Sequence, residues 1–474
     1  MKTTGLISAT VFVLALALPF QAGAQVTAIT GATLIDGNGG TPIPDGVIVI
    51  TDKMITSVGP RNAVSIPAGA RQIDVAGKYI VPGLIDANVH LIPWPSWGYI
   101  EFLARYENNF DGVIEEGAQM FLKHGFTTIF DSMGPLAAGM RVRDRIASGE
   151  TEGSRLFVAG NIVGFRAVFT TPESIASASQ AFQDRMNAQF EAGGGPELAW
   201  MTPEQVKEAM RKYVAQGVDF VKYGASGDGQ PVNSGIGKQS VLMFSSAQQR
   251  AIVEAVHEAG KLVQTHQMSA EALRIAVEVG NDMAQHCAIT GPTRIEDSTI
   301  QLMLDNGFYC GTQWRPLSEE EEQQVRDQSF GTNYGLENQI RLIKAGVPLF
   351  HATDAGVRDP DVVKDGRVQN EVGETNFVLM KSMAQRGMTP MAIIQAATKN
   401  AAAAYQMLDQ FGTLEPGKFA DLVVLDANPL QDIENMRKIS MVIKEGKTID
   451  IDKLPLNPIL TSPEAMNPGP VRKN

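Results

Sequence analysis

The chain has 474 residues, 44% hydrophobic and 19% charged, a globular composition that excludes collagen-like and disordered proteins and is too long for one small domain. Its net charge of −12 argues against nucleic acid and anionic membranes as partners and leaves small molecules as the expected ligands. Two cysteines, Cys287 and Cys310, cannot make a disulfide framework and read as two buried free thiols.

The first element is a leader. Lys2 precedes the apolar run "LISATVFVLALALPF", which ends in "QAGAQ" with Ala22 and Ala24 in small-x-small spacing. Residues 1–24 therefore read as a signal peptide cleaved before Gln25, the run being short for a span of about 20 apolar residues. A periplasmic or secreted protein is expected, with no membrane anchor in the mature form. Losing Lys2 and no acid takes the net charge from −12 to −13.

Residues 25–79 read as short strands and turns: "VTAITGATLIDG", the turn-rich "NGGTPIPDG", and "VIVITDKMITSVG". The same idiom returns in "FADLVVLDANP" and "ISMVIKEGKTID". A β-sandwich built from both ends, 25–79 plus 405–455, is the expectation.

Between them, over 80–404, strand-like runs alternate with amphipathic helices. The strand candidates are "KYIVPGLIDANVH", "FTTIFDSMG", "SRLFVAGNIVG", "VDFVKYGASG", "KLVQTHQMS", "DMAQHCAIT", "FYCGTQW" and "VPLFHATDAG", with "FYCGTQW" the least strand-like. The helices include "TPEQVKEAMRKYVAQG" and "SAQQRAIVEAVHEAG", both closing on glycine. Eight strand–helix units in series predict an α/β fold, a (β/α)₈ TIM barrel. The Pro-rich stretch 456–474 reads as an extended tail over the surface or over a partner subunit of a homo-oligomer.

Polar residues cluster at the C-terminal ends of these strands: His90 on the first, Lys222 on the fourth, His266 on the fifth, His286 on the sixth and Asp354 on the eighth. A single buried histidine is ordinarily a hydrogen-bonded core residue, and a single strand-end aspartate is often a helix cap. Five such positions on the face where barrel enzymes build their sites point instead to one centre. Imidazole and carboxylate together suit zinc and similar divalent ions. Asn88 stands two residues before His90, on the same side of its strand, where a His-x-His pair would grip one ion.

The ordered set "GLIDANVH", "VKYGASG", "QTHQMS", "AQHCAIT" and "HATDAG", followed by "GTLEPGKFADLVVLDANP", resembles the metal-dependent amidohydrolase superfamily, in its prolidase- and imidazolonepropionase-like branch. The resemblance covers nearly the whole mature chain. It implies a carboxylated Lys222 shared by two metal ions. One ion would also take position 88, His90 and Asp354; the other would take His266 and His286. Asparagine is a poorer zinc ligand than histidine. Asn88 is therefore a weak ligand in a two-metal centre, a substrate contact in a one-metal centre, or the mark of an inactive relative. An Asn-x-His variant is similar to that of phenylurea hydrolases, which favours an active enzyme.

The implied chemistry is hydrolysis of a C–N bond in an amide, dipeptide or urea-like small molecule, with Asp354 as the catalytic proton carrier. Deamination or ester or lactone hydrolysis on the same centre is the alternative, and a catalytically inactive binding protein a third reading. Trp94 and Trp97, in the aromatic-rich loop after the first strand, are expected to line a substrate pocket. Tyr223 reaches that pocket only if its strand bulges, since it neighbours Lys222. Arg141, Arg166 and Arg315 are candidates for a substrate carboxylate. His351, three residues before Asp354, is expected to face the helices as a core residue.

Overall fold

The structure, a computed structural model, describes residues 25–92, 99–166, 178–227, 241–356 and 372–461. Residues 1–24, Trp94, Trp97 and residues 462–474, on which the expected signal peptide, pocket lining and extended tail fall, lie outside the described residues. In chain order the strands are β1 (Val26–Leu34), β2 (Ile43–Thr51), β3 (Met54–Pro60), β4 (Arg71–Asp74), β5 (Tyr79–Pro82), β6 (Leu84–His90), β7 (Phe126–Asp131), β8 (Arg155–Val158), β9 (Ile162–Val163), β10 (Val221–Gly224), β11 (Val263–His266), β12 (Met283–Gln285), β13 (Tyr309–Thr312), β14 (Leu349–His351), β15 (Ala355–Gly356), β16 (Leu422–Leu425), β17 (Ile439–Lys444) and β18 (Lys447–Ile449). All eight expected central strands are present, the doubtful "FYCGTQW" included, as β13.

Strands β1–β5 and β16–β18 hydrogen-bond into one eight-stranded sheet, ordered β18-β17-β16-β5-β1-β2-β3, with β4 also on β1. Residues Thr27–Thr30 of β1 pair with β4, while Thr33 and Leu34 pair with β5. The sheet's hydrogen bonding is continuous and forks at β1, whose nine residues are long enough to serve two partners along one edge. Ile29, Leu34, Ile48, Ile50, Leu422 and Val424 interdigitate beneath the fork, each at most 1% exposed. Each such burial stabilises by about 1.5–3 kcal/mol before chain entropy is counted.

The two chain ends also meet at their hairpin tips. Glu445 and Gly446, both at positive φ, form the two-residue loop between β17 and β18. A Cβ on Gly446 would lie 2.0 Å from the Asp52 carbonyl oxygen, so the close approach of the β2–β3 hairpin requires glycine there. Beside it, Lys53 Nζ donates to Glu445 Oε2 at 2.8 Å across 392 residues of sequence.

The central strands form two parallel arcs, β15-β6-β7-β8 and β14-β13-β12-β11-β10-β9. The chain passes from one arc to the other twice, from β8 into β9 and from β14 into β15. Every residue of β6, β7 and β10 is buried, as expected for parallel strands covered on both faces. The helix Pro203–Val214 starts at a capping box between Thr202 and Gln205 and buries Val206, Met210, Tyr213 and Val214, one stripe at helical spacing. The helix Ser246–Glu258 starts the same way, at Ser245 and Gln248. His351 is fully buried, with Phe126 stacked at 5.5 Å and Asn376 Nδ2 3.1 Å from its Nε2. It faces the helices, as its spacing from Asp354 predicts.

The start of the tail is strapped to the helix Phe110–Lys123. Glu116, only 2% exposed, accepts from the backbone N–H groups of Ile459, Leu460 and Thr461 and from the Thr461 hydroxyl. Four donors on one buried carboxylate make this the main fastening of the segment. Glu116→Ala is expected to cost roughly 2–4 kcal/mol and to open the chain beyond Leu454 to protease. Limited proteolysis read by mass spectrometry checks this; a cleavage rate equal to that of the wild type would refute the strap.

Candidate active site

The polar residues singled out in the sequence converge. Asn88 and His90 alternate along β6 onto one side, Lys222 lies in β10, and His266 ends β11. His286 follows β12 directly, and Asp354 lies three residues past β14. All six are at most 4% exposed. His286 and Asp354 have φ of 60° and 59°, a backbone conformation unusual for residues other than glycine. Such strain persists where surrounding structure over-determines it, as around a functional centre.

Asp354 is the hub. Its Oδ1 accepts from Asn88 Nδ2 at 2.7 Å and lies 2.9 Å from His90 Nε2, and its Oδ2 accepts from Gln313 Nε2 at 2.8 Å. Asn88 Oδ1 in turn accepts from Lys222 Nζ at 2.9 Å. The asparagine thus bridges the lysine and the carboxylate, accepting from one and donating to the other. Burial pushes the Asp354 carboxyl upward, but His90, His286 and Lys222 outweigh it and hold the group well below the usual carboxylate range. Burial lowers Lys222 to about 8, against the opposing pull of Asp354 and Asp131. The same burial lowers His266 well below the usual imidazole value and His286 to about 4, so both rings are neutral at physiological pH.

The His266 and His286 rings stand edge to face with centroids 4.7 Å apart. Neither nitrogen of either ring has a hydrogen-bond partner among the described residues. Four buried, unpartnered nitrogens on two neutral imidazoles are costly unless another group binds them, and neutral imidazole is the form that ligates a metal. Among the described residues, no three His, Cys, Asp or Glu side chains are gathered as a metal site on their own. The donors instead include an amide and an amine: His266 and His286 lie against each other, while Asn88 links Lys222 to Asp354, which His90 also meets. These residues fit a divalent ion provided that Lys222 contributes an anionic donor.

Some expectations need correcting. Tyr223 does not face the site: its hydroxyl donates to Gln249 Oε1 and accepts from Asn281 Nδ2, both at 2.9 Å, and its ring lies beside Phe244. Strand β10 does not bulge, so alternation turns Tyr223 outward to the helices while Lys222 points inward. Arg141 and Arg315 are engaged with Asp111 and Glu321. Cys287 and Cys310 are not free thiols but are joined by a disulfide, their Cα atoms 6.0 Å apart. The turn at His286 folds Cys287 back toward β13, where Cys310 pairs with Ala284.

The structure also adds residues. Gln313, just past β13, was legible as another polar strand end. Asp86 sits two residues before Asn88 and accepts from Asn88 N, Thr353 N and Oγ1, and Asn376 Nδ2, joining β6 to the segment that carries Asp354. Asp131, at the end of β7, is buried close enough to Lys222 for their charges to interact. Burial raises both carboxyls to about 7.

Residues 79–449 match the model of the amidohydrolase family. The chain is 39% identical to molinate hydrolase, over 93% of this chain and 97% of that one, with a TM-score of 0.84. It is 34% identical to phenylurea hydrolase B, over 92% and 99% of the two chains, with a TM-score of 0.85. It is 25% identical to the ochratoxinase of Aspergillus niger over 450 residues, 90% of this chain and 86% of that protein. Those neighbours share the barrel-plus-β architecture, and with them the two arcs and the forked sheet place this chain: it belongs to the amidohydrolase family and is a hydrolase acting on carbon–nitrogen bonds.

Proposed function

We propose that this protein is an exported, metal-dependent amidohydrolase that cleaves an amide, urea-like or dipeptide C–N bond in a small molecule. The observation that carries the reading is the pair of neutral, unpartnered histidines, His266 and His286, beside a lysine whose amine is lowered to about 8. In this reading the two arcs close as a (β/α)₈ barrel over 80–404, residues 25–79 and 405–455 form the β-rich unit, and 1–24 direct the chain to the periplasm or medium.

Lys222 prepares the site. An amine lowered to about 8 keeps a substantial neutral fraction near pH 7.5. Once the ammonium has given up one proton, the neutral amine adds to CO₂, forming one N–C bond and releasing a second proton, so that a cation becomes a two-oxygen anion. One or two divalent ions, zinc foremost, held by carboxylated Lys222, His266 and His286 and by His90, Asp354 and Asn88, would polarise the scissile carbonyl and acidify a water molecule.

Asp354 is ionised across the working range, so it takes the proton of the attacking water and returns it to the leaving nitrogen. Asn88 and Gln313 fix the plane of its carboxylate. With one ion on the Lys222, His266 and His286 side, Asn88 leaves the second position weak and can exchange a protein contact for a substrate one.

The test is metal content by mass spectrometry on purified mature protein, with Asn88→His alongside. About one ion per chain rising toward two in the variant is expected, because imidazole is the better zinc ligand. A chain that holds no ion after zinc is supplied would refute the metal reading. Turnover of N-acyl amino acids, Xaa-Pro dipeptides, phenylureas and aryl esters then separates C–N from ester cleavage.

A further inference from the structure

Above Lys222 the mouth of the central fold carries an apolar wall that the metal chemistry does not use. Gly224 is two residues past Lys222 on β10, so its missing side chain would project to the same, inward side. A Cβ there would lie 2.2 Å from Phe165 Cε1 and 2.9 Å from Met243 Sδ. Phe165 and Met243 therefore press together into the space directly over the lysine. The Phe165 ring also stands edge to face with His266, centroids 5.1 Å apart, and Gly224 is the register partner of His266.

The wall is built rather than incidental. Met243 N donates to Ala225 O, and Gly227 N to Val241 O, folding residues 241–243 back along the end of β10. Phe165 N donates to Ile162 O, and the preceding Gly164, at φ +90°, has Phe244 against its Cα, where a Cβ would lie 2.5 Å from the ring. Phe244 is 1% exposed and anchors the pair, whereas Phe165 and Met243 are only partly buried. Neither is fully enclosed, and the Phe165 ring is the one that meets His266. A ring and a polarisable thioether side by side form a flat, adaptable surface suited to an aromatic group.

We propose that Phe165 and Met243 are specificity-determining residues that receive an aryl group carried next to the scissile C–N bond of the substrate. The proposal rests on the hydrolytic reading above for the bond cleaved, but the wall itself is a binding feature. Gly224 leaves room for it: a side chain at that position would displace the ring and the thioether.

The experiment compares wild type, Phe165→Ala, Phe165→Leu and Met243→Ala in the zinc-loaded protein, using an N-phenylurea and the matching N-methylurea. Binding is followed by calorimetry and turnover by product release. In Phe165→Ala the affinity and kcat/KM for the phenyl compound are expected to fall about tenfold or more. The N-methyl compound should change by less than about threefold, with the loss in KM rather than kcat. Leucine at 165 should recover part of the phenyl preference, and Met243→Ala should show a smaller loss of the same kind. Equal losses for both compounds, or none for either, would overturn the wall. A wild type that binds the phenyl compound without cleaving it, and loses it on Phe165→Ala, would keep the wall and overturn the reaction; a wild type that neither binds nor cleaves it overturns the wall itself.

Discussion

Asp354→Asn is expected to lower kcat by about 10²- to 10⁴-fold while leaving the far-UV circular dichroism spectrum unchanged. The carboxylate is held by three donors, from Asn88, His90 and Gln313, and three neighbouring cationic or ionisable groups keep it charged despite its burial. Asparagine has the same shape and retains one acceptor, and Gln313 can turn its amide to face the new NH₂ group. What the amide cannot do is take a proton from water and return it. The measurement is kcat on whichever panel compound the wild type hydrolyses, with folding checked in parallel. A variant within tenfold of wild type would remove Asp354 from the proton path.

The largest stability loss is expected at Asp86. Asp86→Ala removes the acceptor of four donors in a fully buried setting: two backbone N–H groups, the Thr353 hydroxyl and the Asn376 amide. Each donor left without a partner costs about 1–3 kcal/mol, and partial relaxation and water entry bring the sum to roughly 3–5 kcal/mol. A fall in thermal midpoint on the order of 10 °C follows, with turnover reduced because Thr353 precedes Asp354 and Asn88 N is one of the four donors. Asp86→Asn keeps one oxygen and the same volume, so its loss should be less than half as large. Equal midpoints for Asp86→Ala and wild type would show that the four contacts do not fasten the site.

The contrast between Asn88 and Asp86 shows what the sequence carried. Alternation along "LIDANVH" would put both on one side of a strand, but β6 shifts register between Asp86 and Val89. Asp86 meets Asn376 of the helix that also meets His351, while Asn88 meets Lys222 and Asp354. The strand-end rule picks out Asn88, His90 and the other site positions. The parallel strands were legible because burial on both faces leaves unbroken apolar runs. Asp86 was not legible because its meaning lies in Thr353, 267 residues away, and local period says which face a residue takes but not what meets it there. The fork at β1, the pairing of Cys287 with Cys310 and the meeting of Phe165 with Met243 share that character. Each depends on chain segments brought together by closure of the fold. Tyr223 is the reverse case: its place among the substrate contacts needed a bulge that broke the alternation, and the strand kept the alternation.

The clasp between Lys53 and Glu445 also sets a timetable. Strands β1–β5 leave the ribosome first, yet β5 waits for β16, and the tip of the β2–β3 hairpin waits for Gly446. At ordinary synthesis speeds the 392 residues between Lys53 and Glu445 take roughly 20 to 80 seconds to appear. Over that interval the newborn chain carries an apolar sheet with an open edge, the kind of surface on which neighbouring chains pair. The finished molecule has covered that edge with its own last strands, so the hazard belongs to its birth and not to its working life.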